Sequence, residues 1–315
     1  MGKLIRIGTR ESQLAVWQAT LVKDLLAKNN FAAELVFIKS EGDIDLQTPL
    51  YEMGVQGIFT RTLDIALLTG KIDIAVHSMK DVPTQLPKGI VQAAVLERAS
   101  YKDLLVYKGD DEFIQRELSV ANSDTTKAPL VIATSSIRRK AQWLNRYPNH
   151  TIENLRGNVN TRLRKVQEHN WNGAIFAAAG LERIELRPTK SIELDWMLPA
   201  PAQGAIMVVC READEFSLSA CSHFNHPDTA FCTKIERDFL RTLLGGCSTP
   251  ISALAQVKGE NVHFRGNILS VDGKDKIEVE KMVKLDEAVQ LGDAAAAEIL
   301  NKEAGKIADA INHAK

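Results

Sequence analysis

The strongest constraint in this sequence is an alternation of two hydrophobic periods that runs through the first third of the chain and then starts again. KLIRIGT alternates as a strand, SQLAVWQATLVKDLLAK repeats apolar residues every three or four positions as a helix, and AELVFIKS returns to strand. This is a βαβ unit, in which strands joined through a helix pair in parallel. IFTRTLDIALLTG reads as a second helix closed by Gly70 and feeding the strand IDIAVHS, so a parallel sheet is expected. GIVQAAVLER and DLLVYKG are also strand-like. DLLVYKG leads into DDEFIQRELSVANSDTTKAP, a polar stretch suited to an insertion or linker.

From Leu130 the order repeats: strand LVIATSS, helix IRRKAQWLNRY, strand TIENLR, helix VNTRLRKVQEHN, strand GAIFAAA. Each half opens on a strand ending in small hydroxyl residues, IGTRES and IATSSIRR, just before a helix whose first amides can hold an anion. Two such domains with a ligand cleft at the carboxyl ends of their strands form a common binding arrangement. The segment MLPAPAQGA, residues 197–205, reads as a return crossing between them. After about position 223 the texture changes to ISALAQV, VHFRGNILSV and KIEVEKMVKL, separated by the turn segments KGEN and DGKD. A three-stranded antiparallel sheet is expected, covered by one long helix from Asp286 to His313. The expected fold class is therefore α/β: two α/β domains plus a small C-terminal α+β domain. Residues 1–104 with 200–222 form the first, 105–199 the second and 223–315 the third. A chain of 315 residues with 45% hydrophobic content can bury that many cores.

Charge narrows the function. The net charge is -1, which gives the whole chain no general attraction for nucleic acid or an anionic membrane. No apolar run approaches the roughly 18 residues of a membrane span. The N-terminus runs straight into strand-like sequence without an apolar signal core, so a cytoplasmic protein is expected. One stretch is uneven: Arg138 to Lys165 holds eight Lys or Arg and one acid, Glu153, a local net charge of +7. For Arg146, Arg164 and Lys165 a solvated helix face suffices. Arg138, Arg139, Arg156 and Arg162 stand at or just beyond strand ends, where guanidinium forks from separate elements converge on carboxylate or phosphate. RNA also satisfies such a patch, but aromatic interleaving is sparse, and Trp143 and Tyr147 read as core residues.

HSMKDVPTQLP, residues 77–87, sets a Lys-Asp pair at the end of a strand before a proline-stiffened turn. Lys80 and Asp81 in that position make either a surface pair or a capped turn, or else an acid-base group facing a basic cleft, with Asp81 as the candidate. His77 reads as a packed, hydrogen-bonded histidine. All four cysteines lie between positions 210 and 247, at spacings that match neither a redox pair nor a zinc ribbon. Cys221, His223, His226 and Cys232 fit no common zinc pattern, and no metal is expected. GGCSTP places Cys247 in a glycine-flanked turn. No protease signature surrounds it and no metal-ligand companions accompany it, which leaves covalent attachment through an accessible thiolate.

Taken together and in this order, HSMKDVP, SSIRR, LRGNVNTRL and GGCSTPI resemble the porphobilinogen deaminase family, over nearly the whole chain. The resemblance implies two α/β domains of the periplasmic-binding-protein type and a small α+β domain bearing a cysteine. It implies a transferase of tetrapyrrole biosynthesis that adds four porphobilinogen molecules head to tail. Ammonia is lost at each addition, and a linear hydroxymethylbilane is finally released. Cys247 is implied to carry a dipyrromethane cofactor through a thioether. Asp81 matches the family's catalytic aspartate, stabilising the cationic azafulvene and handling the transferred protons. Arg10, Lys80, Arg138, Arg139, Arg156 and Arg162 resemble residues that hold cofactor and substrate carboxylates. Ser12 and Ser136 resemble hydroxyl contacts, and Arg183 resembles another basic contact in the cleft. A monomer without nucleic-acid or membrane partners is implied, with domain movement about crossings near Ser100 and Pro201.

The chain departs from the family pattern at Gln56, where Lys is common, at Ala202, where Gly is frequent, and at Val209-Cys210, where an acidic ending is common. A solute-binding protein would account for the two domains but not for Cys247. An RNA binder would account for the +7 segment but not for HSMKDVP.

Overall fold

The computed structural model describes residues 3–39, 60–119, 129–243 and 249–304. The first sheet contains β1 (Ile5–Thr9), β2 (Ala33–Phe37), β3 (Ile74–Ser78), β4 (Ile90–Val95) and β10 (Ile206–Arg211), in the order β2-β1-β3-β10-β4. β1 pairs in parallel with both β2 and β3, as the βαβ reading requires. The intervening helices are α1 (Gln13–Lys28) and α2 (Arg61–Leu68), and Gly70 takes φ +72° just past α2.

The second sheet holds β5 (Asp103–Tyr107), β6 (Val131–Ala133), β7 (Thr151–Glu153), β8 (Gly173–Ala177) and β9 (Ser191–Glu193), in the order β7-β6-β8-β5-β9. Its helices are α3 (Asp111–Ser119), α4 (Ile137–Arg146), α5 (Val159–Glu168) and α6 (Ala178–Glu182). The two sheets share one plan, and both correct the expectation of a parallel sheet. β10 runs antiparallel between β3 and β4, and β5 runs antiparallel between β8 and β9. Each of these strands arrives from the other domain by a crossing rather than through a crossover helix, so nothing imposes the parallel direction.

The third domain is the antiparallel sheet β11 (Ile251–Lys258), β12 (Asn261–Leu269) and β13 (Lys276–Lys284), matching the expected strands and turns. Two helices bury its inner face, α8 (Pro227–Thr242) and α9 (Leu291–Ile299), around an edge-to-face pair of Phe239 and Phe264.

Further corrections concern helices. The polar stretch after DLLVYKG begins with α3, whose Ile114 packs into the second domain's core, so part of the expected linker is an amphipathic helix. α7 (Glu215–Ser222) and α8 replace sequence that carried no helical assignment. His226 caps α8, with its Nδ1 accepting from Thr229 N, and Pro227 fills the first turn. The expected long tail helix is shorter: a 3₁₀ turn at Leu285–Gln290, then α9, then a π turn at Leu300–Ala304. The remainder of that expected helix lies outside the described residues.

The two crossings lie against each other. Ala99 N donates to Gly204 O, and Gly204 sits at φ +88° with a would-be Cβ only 2.6 Å from Ala99 O. Glycine is required there by both backbone angle and space. Gly204→Ala is therefore expected to destabilise the fold by about 1–3 kcal/mol, read as a lower urea midpoint at unchanged slope. A midpoint equal to that of the parent protein would show that the crossings separate freely. Ala202, two residues earlier, takes φ +61° with its side chain buried, a backbone angle that glycine adopts at less cost than alanine. Val209 and Cys210 are interior residues of β10, where an acidic side chain would lack water.

Candidate functional site

A cleft of about 320 Å³ lies where the strand ends of the two α/β domains face each other. Arg10, Ser12, Lys80 and Asp81 line it from the first domain, and Ser136, Arg138, Arg139, Arg156 and Arg162 from the second. Gln203 of the return crossing and Leu240, Thr249 and Ile251 of the third domain complete the wall. Asn160 Nδ2 donates to Gln13 Oε1 at 2.9 Å, so the lips of the cleft touch.

Lys80 and Asp81 reach the cleft for a local reason. β3 ends at Ser78, and Met79–Asp81 form a single 3₁₀ turn. Met79 and Val82 on either side are buried apolar anchors, which turn the Lys-Asp pair outward. The Lys80 ammonium lies 3.5 Å from Gln203 Oε1. Burial pushes Lys80 down to about 8, partly offset by the charge of Asp81 and reinforced by that of Arg139. This cation is thus poised to gain from an incoming carboxylate.

The serines behave as the strand-to-helix reading anticipates. Ser12 Oγ accepts from Ala15 N and Ser136 Oγ from Arg139 N, making them the N-caps of α1 and α4. Arg162 donates from Nε to Gly157 O at 2.7 Å, and Gly157 itself takes φ +114°. Burial pushes Arg162 down to about 10, helped by repulsion from Arg139 and Arg156, so several cations crowd one wall.

Arg138 and Arg139 line the cleft and are at the same time paired inside the protein. Both are buried, and both bind Asp103, the first residue of β5. Arg138 Nη2 lies 2.8 Å from one carboxylate oxygen, and Arg139 Nη2 lies 2.7 Å from the other. Gln203 Nε2 adds a third donor at 2.8 Å. Burial alone would raise the Asp103 pKa, yet the two guanidiniums hold it well below the usual carboxylate range. The trio thus presents one net positive charge. Arg138 Nε is buried without a hydrogen-bond partner among the described residues.

Arg183 falls outside the cleft lining. Its Nη2 donates to Gly204 O at 2.7 Å and its guanidinium lies 5.7 Å over the Trp17 ring, which places it at the crossings. His77 is packed as expected, but its Nε2 has no hydrogen-bond partner, and burial with the nearby Arg10 charge pushes it down to about 4. Cys247 and Gln56 lie outside the described residues. Cys221 belongs to the first domain's core and Cys232 to the third domain's. No group of three or more potential metal ligands occurs among the described residues. Arg164 pairs with Glu168 on the exposed face of α5, and Arg146 lies over Trp196.

Asp103, Glu236 and Arg237 escaped the sequence reading. Glu236 on α8 is fully buried. It accepts from both terminal nitrogens of Arg98, from Ala202 N and from Ala255 N, joining the first domain, the crossing and the third domain. The run Glu236-Arg237-Asp238 between the apolar positions Ile235 and Phe239 was the available signal.

Two α/β domains with a cationic cleft between them, whose lining among the described residues includes one carboxylate, place the protein in the class that binds polyanionic small molecules and can act on them by acid-base chemistry. The chain belongs to the porphobilinogen deaminase family. Residues 5–219 match the family model "Porphobilinogen deaminase, dipyromethane cofactor binding domain" and residues 230–301 match "Porphobilinogen deaminase, C-terminal domain". A porphobilinogen deaminase of Pelobacter propionicus is 38% identical over 95% of this chain and 94% of its own length. The chloroplastic porphobilinogen deaminase of Oryza sativa subsp. japonica is 40% identical over 95% of this chain and 84% of its own. Among solved structures, the methionine-binding protein MetQ overlaps at TM-score 0.42 and 14% identity, over 70% of this chain and 88% of that one. That overlap is too low to bear on fold or ligand.

Proposed function

We propose that this chain is a porphobilinogen deaminase at work: a transferase that condenses four porphobilinogen molecules head to tail, releasing ammonia and then hydroxymethylbilane. The observation that carries this reading is Asp81, a half-buried carboxylate facing a wall of guanidiniums. Each porphobilinogen ring brings an acetate and a propionate, so a chain of such rings needs many cations along one cleft.

A dipyrromethane fits these residues. Its carboxylates match Arg10, Lys80, Arg156 and Arg162, with Arg138 and Arg139 on the same wall. When bound, that group supplies a pyrrole with a free, nucleophilic α-carbon. The protein's part is to hold and to move protons. The cations fix the rings by their carboxylates, and Ser12 and Ser136 add hydroxyl contacts. Asp81 assists protonation of the departing amine of the substrate, faces the positive charge left on the pyrrole, and takes up the α-proton after coupling. Arg183 adds a basic contact at the crossings. The cleft that opens between residues 1–104 with 200–222 and residues 105–199 is read as two domains that move, with residues 223–315 as the third.

Cys247 is the proposed thioether anchor. The chain leaves α8 at Leu243, and Thr249, two residues past Cys247, lines the cleft, which supports an anchor at its edge. Cys247→Ala is expected to fold but to lack an added mass of two linked pyrrole units in a denaturing intact-mass measurement, with turnover lost. Retention of that mass in the variant would move the anchor elsewhere. No helix among the described residues is long and apolar enough to cross a membrane. A cytoplasmic monomer is proposed, and the plant relative is named chloroplastic.

A further inference from the structure

In the turn that carries Lys80 and Asp81, Val82 N donates to Met79 O at 3.1 Å and Met79 N donates to Ala205 O at 3.0 Å. Pro83 then removes a donor from the chain. The carbonyls of Met79, Val82 and Pro83 are met by the side chain of Arg237, which crosses from α8 of the third domain. Its Nη1 lies 2.9 Å from Val82 O and 3.4 Å from Met79 O, and its Nη2 lies 2.6 Å from Pro83 O. Arg237 is itself buried. A planar fork held by three carbonyls fixes the direction of the turn, which a flexible cation cannot do.

The base of this arm is rigid. The adjacent Glu236 is locked to Arg98, Ala202 and Ala255, so α8 cannot slide relative to the first domain or to β11 without breaking buried charge-assisted bonds. The same helix ends at Thr242, five residues before Cys247. α8 therefore supports the catalytic turn at its middle and delivers the chain to the anchor segment at its end.

We propose that Arg237 is a positioning residue: through the carbonyls of Met79, Val82 and Pro83 it aims Asp81 and Lys80 into the cleft, so that the third domain sets the geometry of the acid-base group. This inference rests on the deaminase reading. The alternative is that Arg237 only stabilises the interface, in which case folded protein would turn over normally.

The test uses the full-length holoprotein with Arg237→Met and Arg237→Lys, assayed well below their melting temperatures. Intact mass reports the covalent adduct, and steady-state kinetics separate kcat from KM. The expected result for Arg237→Met is a normal adduct mass with kcat lower by about 10²-fold, the cost of a misplacement near 1 Å, and KM changed much less. Arg237→Lys keeps the charge but not the fork, and should lose about 10-fold in kcat. It carries the test if Arg237→Met does not fold. Mass spectra during turnover should show partly extended adducts persisting longer than in the parent protein. A kcat within twofold of the parent in either folded variant, whatever the melting temperature, would overturn the proposal. A parent protein without adduct or turnover would instead sink the deaminase reading itself, and the two failures are thereby told apart.

Discussion

Replacing Asp81 with alanine is expected to lower turnover by about 10³-fold or more while leaving the fold intact. Asp81 contributes little to packing: it is half-buried and projects between the buried anchors Met79 and Val82. Its removal leaves the cations that line the cleft in place, so ligand carboxylates still bind. What is lost is the one carboxylate lining the cleft among the described residues, and with it both charge stabilisation and proton transfer. General acid-base catalysis is commonly worth about 10²–10⁴-fold, and stabilisation of developing charge a similar amount. Asp81→Asn keeps the shape without the charge and should lose nearly as much. The checks are the rate of hydroxymethylbilane formation and a thermal melt of each variant. Turnover within tenfold of the parent in either would remove Asp81 from the chemistry.

Replacing Asp103 with asparagine should produce the largest loss of stability. The carboxylate is wholly buried and is the counter-ion of both Arg138 and Arg139. Arginine cannot shed its proton in a protein, so the variant leaves two buried guanidiniums facing each other without compensation. Breaking a buried pair by removing one partner costs about 3–5 kcal/mol, and two cations share this partner. A melting temperature lower by roughly 10 °C or more is expected in a chain of this size. The pH dependence has a definite sign. Because the folded pKa lies below the ordinary value near 4, this group stabilises the protein above that ordinary value, and the contribution is lost as pH falls toward the folded pKa. Melts between about pH 2 and 6 should therefore show an acid-side decline in the parent that is shallower in Asp103→Asn. Equal melting temperatures at neutral pH would mean that the two arginines find other partners.

Hydrophobic period was legible wherever an element pays for its own burial. β1, α1, β2, β3 and the second-domain run from β6 to β8 stand where alternation and three-to-four spacing put them. Strand direction was not legible, because a period of two is the same read either way. β5 and β10 took their antiparallel places from the route of the chain between domains. α8 had a start signal in His226 and Pro227, but its buried face is interrupted by Glu236 and Arg237, charges that look misplaced until their partners are known. Ala202 shows the reverse: a departure visible in sequence, whose meaning came from a backbone angle of +61°.

The candidate site divides in the same way. The motif HSMKDVP and the arginines after LVIATSS were visible because several unusual residues stand together in the chain. Asp103 was not, since it stands about 35 residues before the arginines it neutralises, and Arg237 stands more than 150 residues from the carbonyls it holds.

By itself, the sequence determined the strands and helices that carry a clear hydrophobic period, but not α3, α7 or α8, and that cations would gather at strand ends near one acid. Those properties depend on neighbours within a few positions, where backbone geometry makes the spacing of side chains known in advance. Only the tertiary structure decided which of those cations line the cleft, which are neutralised inside the protein, and which helix holds the Met79–Asp81 turn. The physical reason is that the energy of a charge depends on what replaces its water, and the replacing groups here come from parts of the chain that folding alone brings together.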